Sequence, residues 1–217
     1  MIRRTRWSLA LLATLPLTLA TTLAAPAANA QTEHATGTRS LATVLAADGH
    51  GFDRRSNDYD ITDAAVGAVL AAKPKSAVGV LADGSTRVTA FLPTDRAFRR
   101  LAHSLTGRWY HSEKRVFTRL ANRLGVDTIE SVLLYHVVPG ATITYRTARH
   151  SDGAELDTAL KGATITVDVR HRHRSRIVRL ADLDRDTWNP RIVQANINKG
   201  NKQIAHGINK VLRPVDL

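Results

Sequence analysis

The hydrophobic pattern changes at Pro139-Gly140, and that change sets the class of fold open to this chain. Before it, apolar residues recur at helical spacing; after it, short runs alternate or are rich in β-branched residues. Upstream, a first helix is expected from Leu41 to about Ala47, and Gly49 to Tyr59 reads as a loop. Ile61, Ala65, Val66, Val69 and Leu70 follow helical spacing, with Thr62 placed to cap and Pro74 to end the run. Gly84-Ser85 marks a turn, and Val88 to Leu92 reads as a buried strand. Thr94 then stands as an N-cap, with Asp95 in the first turn of a helix through Phe98 and Leu101. A further helix begins after Ser112, places Val116, Phe117, Leu120 and Leu124 on one face, and stops at Gly125. Asp127 and Glu130 have the spacing of a capping box for a helix through Val132 to Leu134, which ends before Pro139.

Downstream, strands are expected at Ala141–Tyr145, Ala163–Val169, Arg176–Leu180, Ile192–Ile197 and Gln203–Ile208, with a turn at Asn189-Pro190. Helices first and strands second indicate an α+β domain with a mixed or antiparallel sheet. No internal repeat or linker divides residues 40–217.

Residues 1–30 have the layout of a secretory signal. Arg3, Arg4 and Arg6 form a positive start, Trp7 to Ala20 is apolar, and Ala28 and Ala30 occupy an A-x-A site. Cleavage after Ala30 is expected, followed by a flexible lead over residues 31–39, so the product belongs outside the cell or in its envelope. A spanning helix needs ~20 apolar residues, more than this segment or any later one supplies. Of the 217 residues, 31 are basic and 19 acidic, a net +12; losing three arginines and no acid leaves +9. The chain has no cysteine, which excludes disulfides, thiol nucleophiles and cysteine metal sites.

Three stretches, in order and spacing, resemble a fasciclin domain. They are Thr89-Ala90-Phe91-Leu92-Pro93-Thr94-Asp95-Arg96-Ala97-Phe98, then Leu133-Leu134-Tyr135-His136-Val137-Val138-Pro139-Gly140, then Ile204-Ala205-His206-Gly207-Ile208-Asn209-Lys210-Val211-Leu212-Arg213-Pro214. Tyr59-Asp60-Ile61 and the alanine-rich run after it match the family's opening, so the likeness covers about residue 40 to the end. Two departures stand out: Lys202-Gln203 replaces the usual Asn-Gly, and Asn209 stands where the family often has Asp. The resemblance implies a fasciclin-like fold, a wedge-shaped mixed β sheet packed with several helices. It also implies an adhesion or surface-contact role without catalysis or cofactor, toward an extracellular protein or polysaccharide. Thr94, Asp95, Tyr135, His136 and His206 are the motif residues it offers for partner contact.

Read from the residues, Tyr135-His136 and His206 are amphipathic groups beside apolar runs, whose polar tips ordinarily satisfy backbone groups when buried. Thr94 and Asp95 are explained as cap and dipole partner. Arg170, Arg172, Arg174 and Arg176 put four guanidinium groups in seven residues with no acid between Val169 and Leu180. If the flanking strands form a hairpin, this run is its tip, suited to an anionic cell-envelope polymer or sulfated glycan. His171 and His173 share a strand face but lack a third ligand and are crowded by arginine, so no metal is assigned. Export and an aromatic content of 5% argue against nucleic acid as a partner. The chain has no G-x-S-x-G, Walker A, G-x-G-x-x-G or H-E-x-x-H motif, so an enzyme on a site of another kind is the remaining alternative. Asp58, Asp60 and Asp63 cluster in sequence, with capping as the simplest role for at least one.

Overall fold

The computed structural model describes residues 37–48, 51–172 and 175–215. The signal expected over residues 1–30, most of the lead, and His173 and Arg174 lie outside the described residues. The helices are α1 (Leu41–Leu45), α2 (Asp60–Ala72), α3 (Asp95–Thr106), α4 (Glu113–Tyr135) and α5 (Tyr145–Ala148). The strands are β1 (Val88–Pro93), β2 (Val137–Pro139), β3 (Glu155–Asp157), β4 (Thr164–Arg172), β5 (Ser175–Ala181), β6 (Ile192–Ile197) and β7 (Gln203–Ile208). The architecture is α+β, with the strands shared between two sheets.

The first sheet is mixed, in the order β2-β1-β7-β6: β1 and β7 run parallel, and the outer pairs are antiparallel. The second, β3-β4-β5, is antiparallel throughout and meets the first through an antiparallel bridge between Arg179 and Arg191. β1 and β7 are buried at every position because both faces of the first sheet are covered. Val88, Ala90 and Leu92 pack on one side with Leu41, Val66, Val69 and Leu133. Phe91 lies on the other, with Ile143, Ile165, Val178, Leu180 and Leu212. A third cluster joins Ile61, Phe98, Leu101, Val116, Leu120 and Val132 between the helices.

Several local expectations are corrected. Thr62 does not cap α2; its hydroxyl donates to the Pro93 carbonyl at 3.0 Å, and the side chain that reaches the helix start belongs to Asp95, whose Oδ1 accepts the Ile61 amide. Gly125 breaks α4 with φ 74° and ψ 165°, a conformation glycine adopts without a Cβ penalty, yet the helix resumes at once. Asp127 and Glu130 make no capping box there: both carboxylates hold the ammonium of Lys73, just past the end of α2. Ala141–Tyr145 is not a strand, because its backbone partners are side chains. The Thr89 hydroxyl donates to Ala141 O and accepts the Ile143 amide, and Asn196 Oδ1 accepts the Tyr145 amide that opens α5. Residues 37–39 are bonded to the sheet margin rather than loose, with Gly37 N donating to Gly200 O and Lys202 N to Gly37 O.

Candidate functional site

Tyr135 and His136 end α4, where the chain turns directly into β2 beside β1. Tyr135 is fully buried; its hydroxyl donates to Thr164 O at 2.9 Å and accepts the Leu183 amide at 3.2 Å. His136 Nδ1 lies 2.7 Å from Val132 O, which only accepts, so this nitrogen carries the proton. Nε2 then accepts the Leu212 amide at 3.0 Å. Burial without a counter-charge holds this imidazole down to about 4. His206 is arranged alike: Nε2 meets Ile143 O at 2.8 Å, Nδ1 accepts the Asn196 amide, and burial pushes it below the ordinary histidine value. At neutral pH both rings are uncharged and bound to backbone on two sides, so they join chain segments rather than exchange protons.

Thr94 caps α3 through its side chain, which accepts the Ala97 amide. Asp95 has a second setting that the sequence does not display. Its carboxylate meets those of Asp58 and Glu113, with one oxygen of each within 4.8 Å of the others. Asp58 Oδ1 and Asp95 Oδ2 are buried and have no other hydrogen-bond partner. Burial first, and then the neighbouring Asp58, push the Asp95 carboxyl up to about 8, so the pair holds a proton between them at neutral pH. Glu113 is balanced by Arg99 at 2.8 Å and accepts the Asp53 amide. One proton and one guanidinium thus offset two of the three charges without a metal ion. Chain neighbours Asp60 and Asp63 are not part of this trio. Nothing in the one-dimensional pattern pairs Asp58 with positions 95 and 113.

The described part of the arginine run is strand. β4 continues through Arg170, His171 and Arg172, and β5 begins at Ser175. Register divides the run between two faces. Arg170 and Arg172 share a face with Asp168, and Arg179 lies directly across from Asp168. His171 and Arg176 pair on the opposite face, the one that buries Val169 and Val178 further along. Asp168 takes up part of the charge of Arg170 at 2.9 Å. Arg176 sits against α5, its Nη1 donating to Arg149 O and its carbonyl accepting the Tyr145 hydroxyl. Arg149 itself lies over the Tyr145 ring, 5.7 Å from its centre. Arg149 therefore joins the hairpin from 27 residues away, a grouping that only the tertiary fold creates.

The two departures in the closing motif both have partners. Gln203 is fully buried: its oxygen accepts the Leu41 amide, and its nitrogen donates to Val80 O and Asp83 O. Asn209 Oδ1 accepts the Arg191 amide at 2.9 Å, and its carbonyl accepts from the Arg100 guanidinium at 2.8 Å.

Comparison with known proteins agrees with this geometry at the level of family. The fasciclin domain model matches residues 65–214, well over half of the chain. A solved structure described as a FAS1 domain pair from the insect cell adhesion molecule fasciclin I aligns at 16% identity. That alignment covers 68% of this chain and 43% of the other, with a TM-score of 0.45, so the chain spans less than half of that structure's length. No curated protein matches. Fasciclin domains are associated with cell adhesion and are typically extracellular, and among the described residues no helix is long and apolar enough to cross a membrane. With Pro-Thr-Asp leading into α3, Tyr-His closing α4 and His206 in the strand parallel to β1, this chain belongs to the fasciclin domain family.

Proposed function

We propose that this protein is an extracellular, non-catalytic adhesion module that contacts a polyanionic surface through the β4–β5 hairpin. The observation that carries this reading is the concentration of exposed guanidinium groups there: Arg170, Arg172, Arg176 and Arg179, with Arg149 at the end of α5 bonded to Arg176, against Asp168 as the one ion-paired acid on the hairpin among the described residues. Guanidinium groups match carboxylate, sulfate and phosphate in paired geometry, and a surplus on a strand end attracts such polymers from a distance. The motif residues Thr94, Asp95, Tyr135, His136 and His206 are buried, and their hydrogen bonds run inward. In this reading they hold the scaffold while the arginines make the contact.

The test is retention of the full chain on its own cell envelope and on heparin resin, eluted with rising salt. The wild type is expected to elute late, and the variant carrying R170S, R172S, R174S and R176S to elute earlier with a weaker dependence on salt. Identical elution of the two proteins would overturn the hairpin reading.

A further inference from the structure

Arg96 and Arg100 stand four residues apart on α3, and so on one helix face, where like charges destabilise a helix. Arg191, just before β6, adds a third guanidinium, and all three line one cavity of about 460 Å³. The other lining residues among those described are Asn57, Thr94, Val193, Gln194 and Asn209, with no carboxylate. Among the described residues neither Arg96 nor Arg191 is in an ion pair. Burial, and then the two neighbouring arginines, lower the proton affinity of Arg100. A fold that gathers three like charges without a counter-ion carries a cost that an anionic ligand would relieve.

Asn209 keeps that charge uncancelled. It receives the Arg191 amide and, through its carbonyl, the Arg100 side chain, so it positions both arginines while staying neutral. An aspartate of the same shape would accept the same amide and place a carboxylate in the cavity.

Arg100 also lines a second cavity, of about 400 Å³, which holds Trp109 and Trp188. Both volumes fall in the ~300–1,000 Å³ range of small-molecule sites. The chain has three tryptophans; these two are its only ones after Trp7, and both are open to solvent, at 60% and 54%. Each indole is held in place. The His103 ring stacks on Trp109 with centres 4.2 Å apart, and the Lys210 ammonium sits 5.3 Å from the centre of the Trp188 ring while donating to its carbonyl. Asp186, the only carboxylate of this cavity among the described residues, is an acceptor for hydroxyl groups. Supported, solvent-open indoles offer flat faces to the C–H side of a sugar ring.

We infer that these adjoining cavities form one groove for an acidic saccharide. Its sugar rings stack on Trp109 and Trp188, and its anionic groups are taken by Arg96, Arg100 and Arg191. The bridge between Arg179 and Arg191 puts those two side chains on one side, and Arg179 shares its face with Arg170 and Arg172. A basic track thus leads from the hairpin to the groove. The inference rests on the adhesion reading for the surface that carries the saccharide, but it assigns recognition to different residues.

The full chain is titrated with oligogalacturonate, a heparin hexasaccharide and neutral maltohexaose, with binding read by tryptophan emission and calorimetry. At least one acidic oligomer is expected to bind and change the emission, with maltohexaose weaker by about tenfold or more. Binding of oligogalacturonate identifies carboxylate as sufficient, whereas binding of the heparin hexasaccharide alone, which carries both groups, identifies sulfate. N209D is expected to weaken acidic binding about tenfold while thermal stability is kept or raised, and W109A/W188A, read by calorimetry, to weaken it at least as much. Absence of binding by both acidic oligomers, equal binding of maltohexaose, or wild-type affinity in both variants would each overturn the groove. The hairpin variant is expected to keep the tryptophan emission change on binding, because the indoles lie in the groove and not on the hairpin. Late elution from heparin resin with an inert groove removes only the saccharide, whereas a working groove with unchanged hairpin-variant elution removes only the hairpin reading.

Discussion

The carboxylate of Asp95, in the first turn of α3, accepts the backbone N–H of Ile61 in the first turn of α2 at 3.0 Å. A residue whose position in the chain marks it as a partner for its own helix thus also serves the start of another. It does so while pressed against Asp58, and the two requirements together set its acid–base behaviour.

With the Asp95 carboxyl raised from 3.8 to about 8, the folded protein binds more protons than the unfolded chain across that interval. Its contribution to stability is therefore full below the unfolded value and is lost as pH rises toward 8. Asp58, Glu113, Arg99 and Tyr59 are the titratable groups around it. His136, depressed to about 4, acts in the opposite sense, adding stability as pH rises from 4 to 6.5. The two slopes oppose each other below pH 6.5, and only the Asp95 slope remains above it. Thermal midpoints are expected to fall between pH 6.5 and 8 in the wild type. In D95N, whose amide oxygen still accepts from Ile61 and whose NH₂ donates to Asp58, that fall is expected to disappear, with a gain of about 1 kcal/mol at pH 8. An unchanged pH profile in D95N would contradict the shared proton.

Replacing His136 tests the joint between α4 and the C-terminal segment. H136F keeps the bulk but removes partners from Val132 O and the Leu212 amide, both buried with it. Two unsatisfied backbone groups imply a loss of about 2–4 kcal/mol, measurable by urea denaturation. The same variant is expected to lose part of the low-pH dependence that His136 supplies.

Tyr135→Phe isolates one hydroxyl. It links the end of α4 to β4 and to the segment following β5 through Thr164 O and the Leu183 amide. Its removal is expected to cost about 1–3 kcal/mol. Hydrogen exchange should show the Leu183 amide losing protection while α2 and α3 keep theirs.

Gly84 is a steric prediction. A Cβ at this position would lie 1.7 Å from the Thr38 carbonyl oxygen, a backbone atom with no rotamer to escape into. G84A is expected to push residues 37–40 off the sheet margin. The lost bonds between this segment and Gly200, Asn201 and Lys202 would appear as faster proteolysis ahead of α1.

Elements that carry their own pattern were legible in the sequence. β6 and β7 have the limits that their side chains suggest, β1 extends one residue further, and Thr94 and Gly125 act where cap and break are expected. The pieces that escaped are those made by a partner. β2 and β3 are three residues each and exist through pairing with β1 and β4. Residues 141–145 alternate like a strand but are held by Thr89, His206 and Asn196. The candidate sites follow the same rule. The arginine run was visible as a run, but its division between two faces depends on register. The gathering of Arg96, Arg100 and Arg191, like that of Asp58, Asp95 and Glu113, depends on contacts that span the domain.

The parallel pairing of β1 with β7 places residues 203–208 in the interior of the first sheet, between β1 and β6. Its partner strand lies more than a hundred residues earlier, so the sheet cannot close until nearly the whole chain is available. Closing so long a loop is slow, and a chain cut short before residue 203 leaves β1 without its parallel partner. This topology leaves β1 one partner short until residues 203–208 have joined it, so the first sheet is completed late in folding.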